Sequence, residues 1–168
     1  MPALDTLHQL STSSLGVGLS DDHLKRLAEL ATTERFPAGR VIFKEASTAD
    51  HLAVVCSGSV ALDMHVPLRG NVRLLTLGSG DLLGWSAIVG DGIMTATATV
   101  LKDAQLLNIP GTTLRKACDD DPALGYAVMD LVARALAKRL QGTRLQMLDL
   151  FKEPRPAPGK LSGVVAHD

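Results

Sequence analysis

The residues with the clearest chemical potential lie between Gly80 and Ala98, a stretch laid out as a phosphate-binding turn. A Gly-Asp pair and two leucines lead to a second glycine, Gly84, and then come a short helical turn, a loop and a strand opening of small residues. Glycine lets a backbone approach a ligand closely, and amides at the start of a helical turn bind anions. We therefore predict an anion site, named here the cassette, made of Gly84, Trp85, Ser86, Ala87, Met94, Thr95, Ala96 and Thr97.

Other kinds of functional site find little support in the sequence. The histidines lack the paired spacing that metal sites use, and no Ser/His/Asp or Cys/His set stands out. Cys56 and Cys118 form no CxxC pair, and we expect both to be reduced, buried thiols. The sequence therefore predicts a protein that is not an enzyme and that holds no metal.

Composition is that of an ordinary globular protein. The 168 residues suffice for one domain with a full core, and 46% of them are hydrophobic. A net charge of -1 and an aromatic fraction of 3% argue against nucleic-acid binding by counterion release or base stacking.

The N-terminal residues lack the pattern of an export signal, and no apolar run is long enough to span a membrane. We expect a cytoplasmic protein that does not bind membranes.

Three regions are expected along the chain. Residues 1–19 form an N-terminal arm, either a short helix or loose, residues 20–151 form the folded domain, and residues 152–168, with their prolines and glycines, form a flexible tail. Ser20 is a suitable N-cap, and the apolar residues that follow at helical spacing predict a helix through Thr32.

The middle of the chain changes to a hydrophobic period of two, which is typical of strands. Turns containing glycine separate the short candidate strands, and this spacing suggests a sandwich, jelly roll or barrel. The predicted strands are residues 41–43, 52–55, 60–64, 72–77, 82–88, 95–100 and 105–109.

Two helices are predicted after the β region, the first over residues 112–119. Asp121 is a suitable N-cap and Pro122 fits the first helical position, so we expect a long second helix over residues 122–151. Its apolar residues cover more than one face. The helix therefore packs either entirely on its own barrel or also on a second copy of itself, and we expect the homodimer.

Four short patterns occur in an order that is found in a known domain family. They are Phe36-x-x-Gly39-x-Val41-Ile42-Phe43-x-Glu45, Val54-Val55-x-Ser57-Gly58-x-Val60, Leu77-Gly78-x-Gly80-Asp81-x-x-Gly84, and Thr97-Ala98. With the flanking helices, residues 21–151 resemble the cyclic-nucleotide-binding domain of catabolite activator proteins, protein kinase A regulatory subunits and nucleotide-gated channels. The resemblance implies a mainly β fold with α, in which an eight-stranded antiparallel β-roll, similar to a jelly roll, carries an N-terminal helix and two C-terminal helices, the last one long.

The cassette departs from the family pattern at the two residues that hold the nucleotide. Nucleotide-binding members have a glutamate for the ribose hydroxyl where this chain has Trp85. They have an arginine for the phosphate where it has Met94, or Thr95 if the loop is longer by one. The usual Glu-Gly pair of the hairpin is here Glu45-Ala46. These replacements argue against tight binding of cyclic AMP or cyclic GMP, and they leave another nucleotide, a cyclic dinucleotide or another small anion as the candidate ligand.

Each cassette side chain has two interpretations. The Trp85 ring could stack on a purine, or it could fill the space left by the missing glutamate and ligand. Thr95 and Thr97 could contact a ligand or be ordinary strand residues, whereas Met94 most simply fills the pocket.

The missing positive charge could come from elsewhere in the chain. Arg69 and Arg73 lie on a neighbouring hairpin and are candidates. We interpret the basic run on the long helix as its solvated face. In the family this helix closes over the ligand, so the run could also line the mouth of the pocket. It consists of Arg134, Lys138, Arg139 and Arg144.

Two functions are therefore expected as alternatives. The first is a stand-alone, non-enzymatic sensor in which a ligand shifts the two C-terminal helices and changes the surface offered to an unknown effector protein. The second is a ligand-free scaffold for dimerisation or protein contacts, with Trp85 and Met94 plugging the pocket. Relatives that are transcription factors carry a helix-turn-helix domain beyond the long helix, and the residues after it here predict no DNA binding by this chain alone.

Overall fold

The computed structural model describes residues 2–13 and 16–150, and within them helices flank a single sheet. Two helices precede the strands, two follow them, and a 3-10 turn lies between the fifth and sixth strands. The elements are α1 (Pro2–Thr12), α2 (Asp21–Leu30), β1 (Thr32–Phe36), β2 (Val41–Phe43), β3 (His51–Val66), β4 (Gly70–Leu77), β5 (Leu82–Leu83), the 3-10 turn (Trp85–Ala87), β6 (Thr97–Pro110), α3 (Gly111–Asp120) and α4 (Pro122–Leu150).

The sheet is antiparallel and is organised around β3 and β6. Its main path is β1-β6-β3-β4, with β2 also paired to β6 and β5 to β3. The register sets Leu52 opposite Ile109 and Leu62 opposite Ala98. Between these two pairs the register shifts three times, from Val55 to Val60. Bulges bend a ladder and increase its twist, so this long pair curves.

The predicted eight-stranded roll is corrected to a sheet of six strands within the described residues. Predicted strands 52–55 and 60–64 are two parts of β3, and strands 95–100 and 105–109 fall largely within β6. The glycine that suggested a break, Gly58, lies in the bulged region at φ +84, where a Cβ would collide with the Asp103 carbonyl. A strand bulge and a chain reversal use the same residue types, and here the ladder continues.

Two further boundaries differ from prediction. The helix expected through Thr32 ends at Leu30, because Ala31 is extended and the β-branched Thr32 and Thr33 begin β1 on the edge of β6. The strand expected over residues 82–88 ends at Leu83, since Gly84 turns the chain into the 3-10 helix.

The core lies on both faces of the sheet. Alternate residues of a strand point to opposite faces, and accordingly Leu52 and Val54 pack towards the helices, whereas Ala53 and Val55 pack inside the curved sheet. Leu10 of α1 is fully buried in the helix-side core. The N-terminal helix therefore packs on the domain and is not a loose arm.

Helix caps follow the sequence prediction. The Ser20 hydroxyl accepts a hydrogen bond from the His23 amide at 3.2 Å. Asp121 Oδ1 accepts from the amides of Ala123 and Leu124 at 3.1 and 3.2 Å and so begins α4. Its other oxygen, Oδ2, lies 3.5 Å from His23 Nε2 and 3.6 Å from an Arg26 nitrogen. Asp121 therefore connects the start of α4 to α2.

The long helix reaches residue 150, close to the predicted end at 151. Residue 151 and the predicted tail, 152–168, lie outside the described residues. Across the described ranges no helix is both long enough and apolar enough to cross a bilayer.

Candidate functional site

The cassette begins with a tight backbone turn at Gly84. Its φ of +73 lies in the left-handed region, and a Cβ at this position would collide with the His51 carbonyl on β3. The 3-10 turn Trp85–Ala87 follows, closed by hydrogen bonds from the Ala87 amide to the Gly84 carbonyl and from the Ile88 amide to the Trp85 carbonyl. The predicted helical turn after the second glycine is therefore present, and the position requires glycine for conformational and steric reasons.

Met94 is held in the interior of the site. Its side chain is 5% exposed, and its backbone exchanges hydrogen bonds with Ala46 and Ser47, both at 2.8 Å. Met94 also lines a cavity of about 330 Å³ between β1, β2 and β3. An apolar, buried side chain therefore stands where the family resemblance implied an arginine.

The 3-10 turn connects the cassette to α3. Trp85 is half-buried and packs against the helix-side core, while Ser86 and Ala87 are buried. The Ala87 carbonyl accepts from an Arg115 nitrogen at 3.2 Å. A Cβ on Gly111 would lie 2.7 Å from the same carbonyl oxygen. The turn and the first residue of α3 are therefore in close contact.

The strand residues of the cassette have mixed roles. Thr95 is exposed and Ala96 is buried. The Thr97 hydroxyl accepts from the Glu45 amide at 3.0 Å, and a Glu45 carboxylate oxygen accepts from the His65 amide at 2.8 Å. Thr97 thus holds the loop between β2 and β3, which agrees with its interpretation as a structural residue.

Six of the eight predicted cassette residues surround one small cavity of about 20 Å³. They are Gly84, Trp85, Ser86, Met94, Thr95 and Ala96, and Phe43, Leu62, Leu83 and Arg139 complete the lining. Ala87 and Thr97 lie outside it and have the structural contacts described above. A cavity of this volume has room for about one water molecule. The cassette is closed in this conformation.

Arg139 of α4 belongs to the basic run for which the sequence left two interpretations open, a solvated face or the mouth of the pocket. Arg139 is only partly exposed and its guanidinium donates to the Leu82 carbonyl, which agrees with the second interpretation for this residue. Burial lowers the pKa of Arg139, and the charge of Asp81 partly opposes this effect. The basic run alone does not fix which of its side chains turns inward.

The other candidate cations lie elsewhere. Arg73 Nε donates to Asp63 Oδ1 across the β3–β4 ladder at 2.9 Å, and this hydrogen bond raises the pKa of Arg73. Arg69 is exposed in the turn that leads into β4. Neither side chain lines the cassette cavity. Lys138 is exposed and lies 3.3 Å from Asp81 Oδ1, so it links α4 to the turn before β5.

A larger opening adjoins the cassette on the α4 side. This β4–α4 groove has a volume of about 410 Å³. Arg139 lines both the groove and the cassette cavity. The other lining residues are Val17, Leu74, Leu75, Thr76, Leu77, Asp81, Leu82, Leu131, Arg134, Ala135, Lys138, Gly142 and Thr143.

Comparison with known sequences gives one family match and several relatives. Residues 33–121 match the family model named Cyclic nucleotide-binding domain. A CRP-like cAMP-activated global transcriptional regulator of Mycobacterium tuberculosis is 27% identical over 143 residues, covering 84% of this chain and 62% of that protein. The chain therefore spans about three fifths of the length of this relative.

Comparison with solved structures agrees with this match. A putative cyclic nucleotide-binding protein from Geobacter metallireducens GS-15 is 31% identical, with a TM-score of 0.71, over 79% of this chain and 96% of the other. A cyclic nucleotide-binding domain from Methylobacillus flagellatus is 18% identical, with a TM-score of 0.77, over 95% of this chain and 86% of the other. The second likeness supports the fold alone.

Proposed function

Because the chain belongs to the cyclic nucleotide-binding domain family, we propose that it is a non-enzymatic sensor module that responds to a small anionic ligand at its altered cassette. Members of the family are typically sensor modules without catalytic activity. The ligand contacts that we propose are made by the six cassette residues that line the cavity, Gly84, Trp85, Ser86, Met94, Thr95 and Ala96, together with Arg139.

The observation that carries the proposal is the position of Arg139. It brings a cation to the wall of a cassette that lacks the expected arginine at position 94. Its acceptor is a neutral main-chain carbonyl, that of Leu82, and within the described ranges no carboxylate forms an ion pair with it. A phosphate or carboxylate is a stronger acceptor for a guanidinium than a carbonyl is. An incoming anion can therefore take the place of Leu82 in this contact.

The ligand differs from cyclic AMP or cyclic GMP in this proposal. The two charged contacts that those nucleotides use in the family are replaced by Trp85 and Met94. Loss of a charge-assisted contact costs about 1.5–3 kcal/mol, or roughly tenfold to a hundredfold in affinity. Since the cavity is only about 20 Å³, any nucleotide also has to displace Met94 or Arg139. A linear nucleotide, a cyclic dinucleotide or another small anion fits the proposal.

The response follows from the location of Arg139 on α4. Two contacts tie this helix to the strand β5 and the turn before it, Arg139 to the Leu82 carbonyl and Lys138 to Asp81. An anion that binds the Arg139 guanidinium breaks its contact with the Leu82 carbonyl. The same anion adds negative charge beside the Lys138–Asp81 pair. A ligand that prefers one position of α4 shifts the population of the helix towards that position.

We also propose a homodimer through α4. Tyr126, Ala133, Leu140 and Met147 recur every seven residues and are all exposed, with Tyr126 at 78% and Leu140 at 55%. Exposed Met129 precedes Ala133 by four residues, which is the spacing of the second core position of a coiled coil. An apolar heptad stripe on an exposed helix is typical of a helix that packs against a copy of itself.

A ligand-free scaffold is the second candidate function. The closed cassette favours it, because Phe43, Leu62, Leu83 and Met94 leave space for about one water molecule. In that case the fold serves dimerisation or an effector protein, and no small molecule stabilises it.

Thermal unfolding with a ligand panel separates the two functions. The panel contains cyclic AMP, cyclic GMP, cyclic di-GMP, ATP and inorganic phosphate, each at millimolar concentration. A ligand at 100 times its Kd adds about 2.7 kcal/mol and raises Tm by several degrees. We expect a shift that is lost in Arg139→Met and kept in Arg144→Met, the matched control on the exposed side of α4. No shift with any compound would leave the scaffold as the function.

A further inference from the structure

The loop between the 3-10 turn and β6 carries an aspartate between two glycines, Gly90 and Gly92. Asp91–Gly92 is the only place in the 168 residues where an aspartate or an asparagine precedes a glycine. Asp91 is exposed, and within the described ranges its carboxylate forms no ion pair. Its Oδ1 atom accepts a hydrogen bond from the Ile93 amide at 3.1 Å. The carboxyl group is therefore held by its own loop.

An aspartate that precedes a glycine can rearrange the chain with water as the only reagent. The Gly92 nitrogen attacks Cγ of the protonated Asp91 carboxyl, a C–N bond forms, and the hydroxyl leaves with the amide proton as one water. Water then opens the resulting succinimide ring. Cleavage of the bond between the nitrogen and Cγ restores aspartate, whereas cleavage at the main-chain carbonyl carbon leaves the chain running through Cγ as isoaspartate. Glycine favours the attack, because no Cβ hinders its nitrogen.

The folded loop leaves room for this reaction. Gly90 and Gly92 have φ angles of +82 and +76, and no atom lies within 4 Å of the place where a Cβ on either would stand. Both glycines can therefore change conformation without displacing a packed side chain. Among the described residues none accepts a hydrogen bond from the Gly92 amide, so the attacking nitrogen is not engaged elsewhere. The bond from the Ile93 amide folds the Asp91 carboxyl back over the peptide that follows it, which keeps Cγ near this nitrogen.

The residues after Asp91 fasten the loop to the segment between β2 and β3. The Gly92 carbonyl accepts from the Ala49 amide at 2.8 Å, and Ile93 forms a bridge with Thr48. With the bonds of Met94 to residues 46 and 47, these contacts form what we call the 92–94 clamp. An isoaspartate adds one backbone atom immediately before this clamp, so the two sides of the clamp no longer match in register.

From this combination we propose that Asp91–Gly92 is a covalent modification site, at which isoaspartate forms in the native protein and releases the 92–94 clamp. The Met94 side chain, which the clamp holds at 5% exposure, then becomes free to leave the cassette. The reaction uses no ligand, metal or second protein. The proposal therefore goes beyond the sensor function argued above and does not depend on it.

The first arm of the test compares the native chain with the unfolded chain. The full chain is kept for weeks at neutral pH and body temperature, once in buffer and once in urea, and isoaspartate at position 91 is measured by electron-transfer mass spectrometry. We expect the native rate to lie within about threefold of the unfolded rate, because an exposed loop tip with two glycines restricts the reaction little. A native rate that is slower by about tenfold or more would show that the fold protects this peptide, and the proposal would be wrong.

The second arm uses two controls for the chemistry. Asp91→Glu keeps the negative charge but has to close a larger ring, so this variant should accumulate no isoaspartate. Asp103 is an internal control, since it is also exposed but is followed by Ala104 and accepts a hydrogen bond from the Ala38 amide at 2.8 Å. We expect isoaspartate at position 91 to exceed that at position 103 by about tenfold or more, because only position 91 precedes a glycine. Equal amounts at the two positions would refute the assignment.

The third arm tests the release of Met94 by hydrogen exchange. We expect the amides of Ala46 and Met94, which both donate within the clamp, to exchange about tenfold faster or more in the aged wild type than in fresh protein. Asp91→Glu aged in parallel should not change. An isoaspartyl O-methyltransferase with S-adenosylmethionine esterifies the isoaspartyl carboxylate and lets the succinimide form again, so this treatment should restore slow exchange. If isoaspartate accumulates while both amides stay protected, the modification does not open the clamp and the proposal is wrong.

Discussion

The side chain of Met94 packs against the backbone of Gly84, with its Cε 3.5 Å from where a Cβ on that glycine would stand. This contact fills the space between the cassette turn and the loop that precedes β6. Because Met94 is also fixed by backbone hydrogen bonds to Ala46 and Ser47, the closed state is built into the loop as well as into the side chain. A ligand that enters the cassette from this side therefore has to move the Met94 side chain.

The double variant Trp85→Glu/Met94→Arg tests this account by restoring the family's charged pair. Without ligand we expect a loss of about 2–4 kcal/mol, because a buried apolar side chain is removed and a charge is buried in its place. With cyclic AMP at 100 times its Kd, about 2.7 kcal/mol should be regained. Thermal unfolding with and without the nucleotide measures both effects. The single variants serve as controls, and a double variant that cyclic AMP leaves unchanged would show that more than two residues close the site.

Leu140 lies at the centre of the exposed heptad stripe of α4 and is 55% exposed. Leu140→Glu places like charges opposite one another in a symmetric pair of helices, so we expect it to convert the proposed dimer into a monomer. Light scattering coupled to size exclusion gives the mass directly. Leu145 is equally apolar and 64% exposed, but it lies off the stripe, so Leu145→Glu should remain dimeric. Two variants with the same mass would refute this interface.

Asp121 should make stability depend on acidic pH. The hydrogen bond from the Leu124 amide is the main cause that lowers the pKa of this carboxyl, and His23 and Arg26 contribute in the same direction against partial burial. Its stabilising effect is complete above the unfolded pKa, about 3.9, and is lost as the pH falls through the lower folded value. We expect Asp121→Asn to lower Tm at pH 7, and the difference from the wild type to shrink towards pH 2.

The control for this pH dependence is Asp120→Asn. Asp120 is exposed, and among the described residues its one ion pair is with Lys116, at 3.4 Å on the same helix. Its removal should leave Tm nearly unchanged at every pH. A constant gap between Asp121→Asn and the wild type from pH 7 to pH 2 would show that the ionised carboxylate is not what stabilises the start of α4.

Ala46 has a φ of +64, in the left-handed region where residues with a Cβ are strained. It stands where the family pattern has glycine, and its amide donates to the Met94 carbonyl at 2.8 Å. Ala46→Gly should therefore stabilise the protein by about 1 kcal/mol. Ala38→Gly, in a turn outside the left-handed region, should instead destabilise it by up to about 1 kcal/mol. Chemical denaturation measures both, and a loss of stability in Ala46→Gly would contradict the strain.

The sequence was sufficient where local chemistry determines structure. The caps at Ser20 and Asp121 and the turn at Gly84 are each set by a few neighbouring residues, and all three are present as predicted. The ordered set of short patterns likewise identified the family correctly. The strand count was wrong because a bulge and a turn share their glycine and polar residues, and only the pairing of β3 with β6 tells them apart.

The sequence left the position of Arg139 open for a different physical reason. It lies one residue from exposed Lys138 and five from exposed Arg134, so the basic run reads as a single solvated face. Which of these cations turns inward depends on how α4 packs against β5. These two elements are distant in the sequence, so local patterns do not reveal this contact. The stripe from Leu124 to Leu131 could have indicated the inward face, since extending it by helical spacing leads to the groove.

The close fit of Gly111 against Ala87 has a consequence for how such a module evolves. Any other residue at position 111 would meet the Ala87 carbonyl within 2.7 Å, so the joint between the turn and α3 tolerates almost no variation. Positions 85 and 94, by contrast, line the cavity without forming that joint. Substitutions at these cavity positions can therefore alter which ligand fits, while the contact between the turn and α3 stays unchanged.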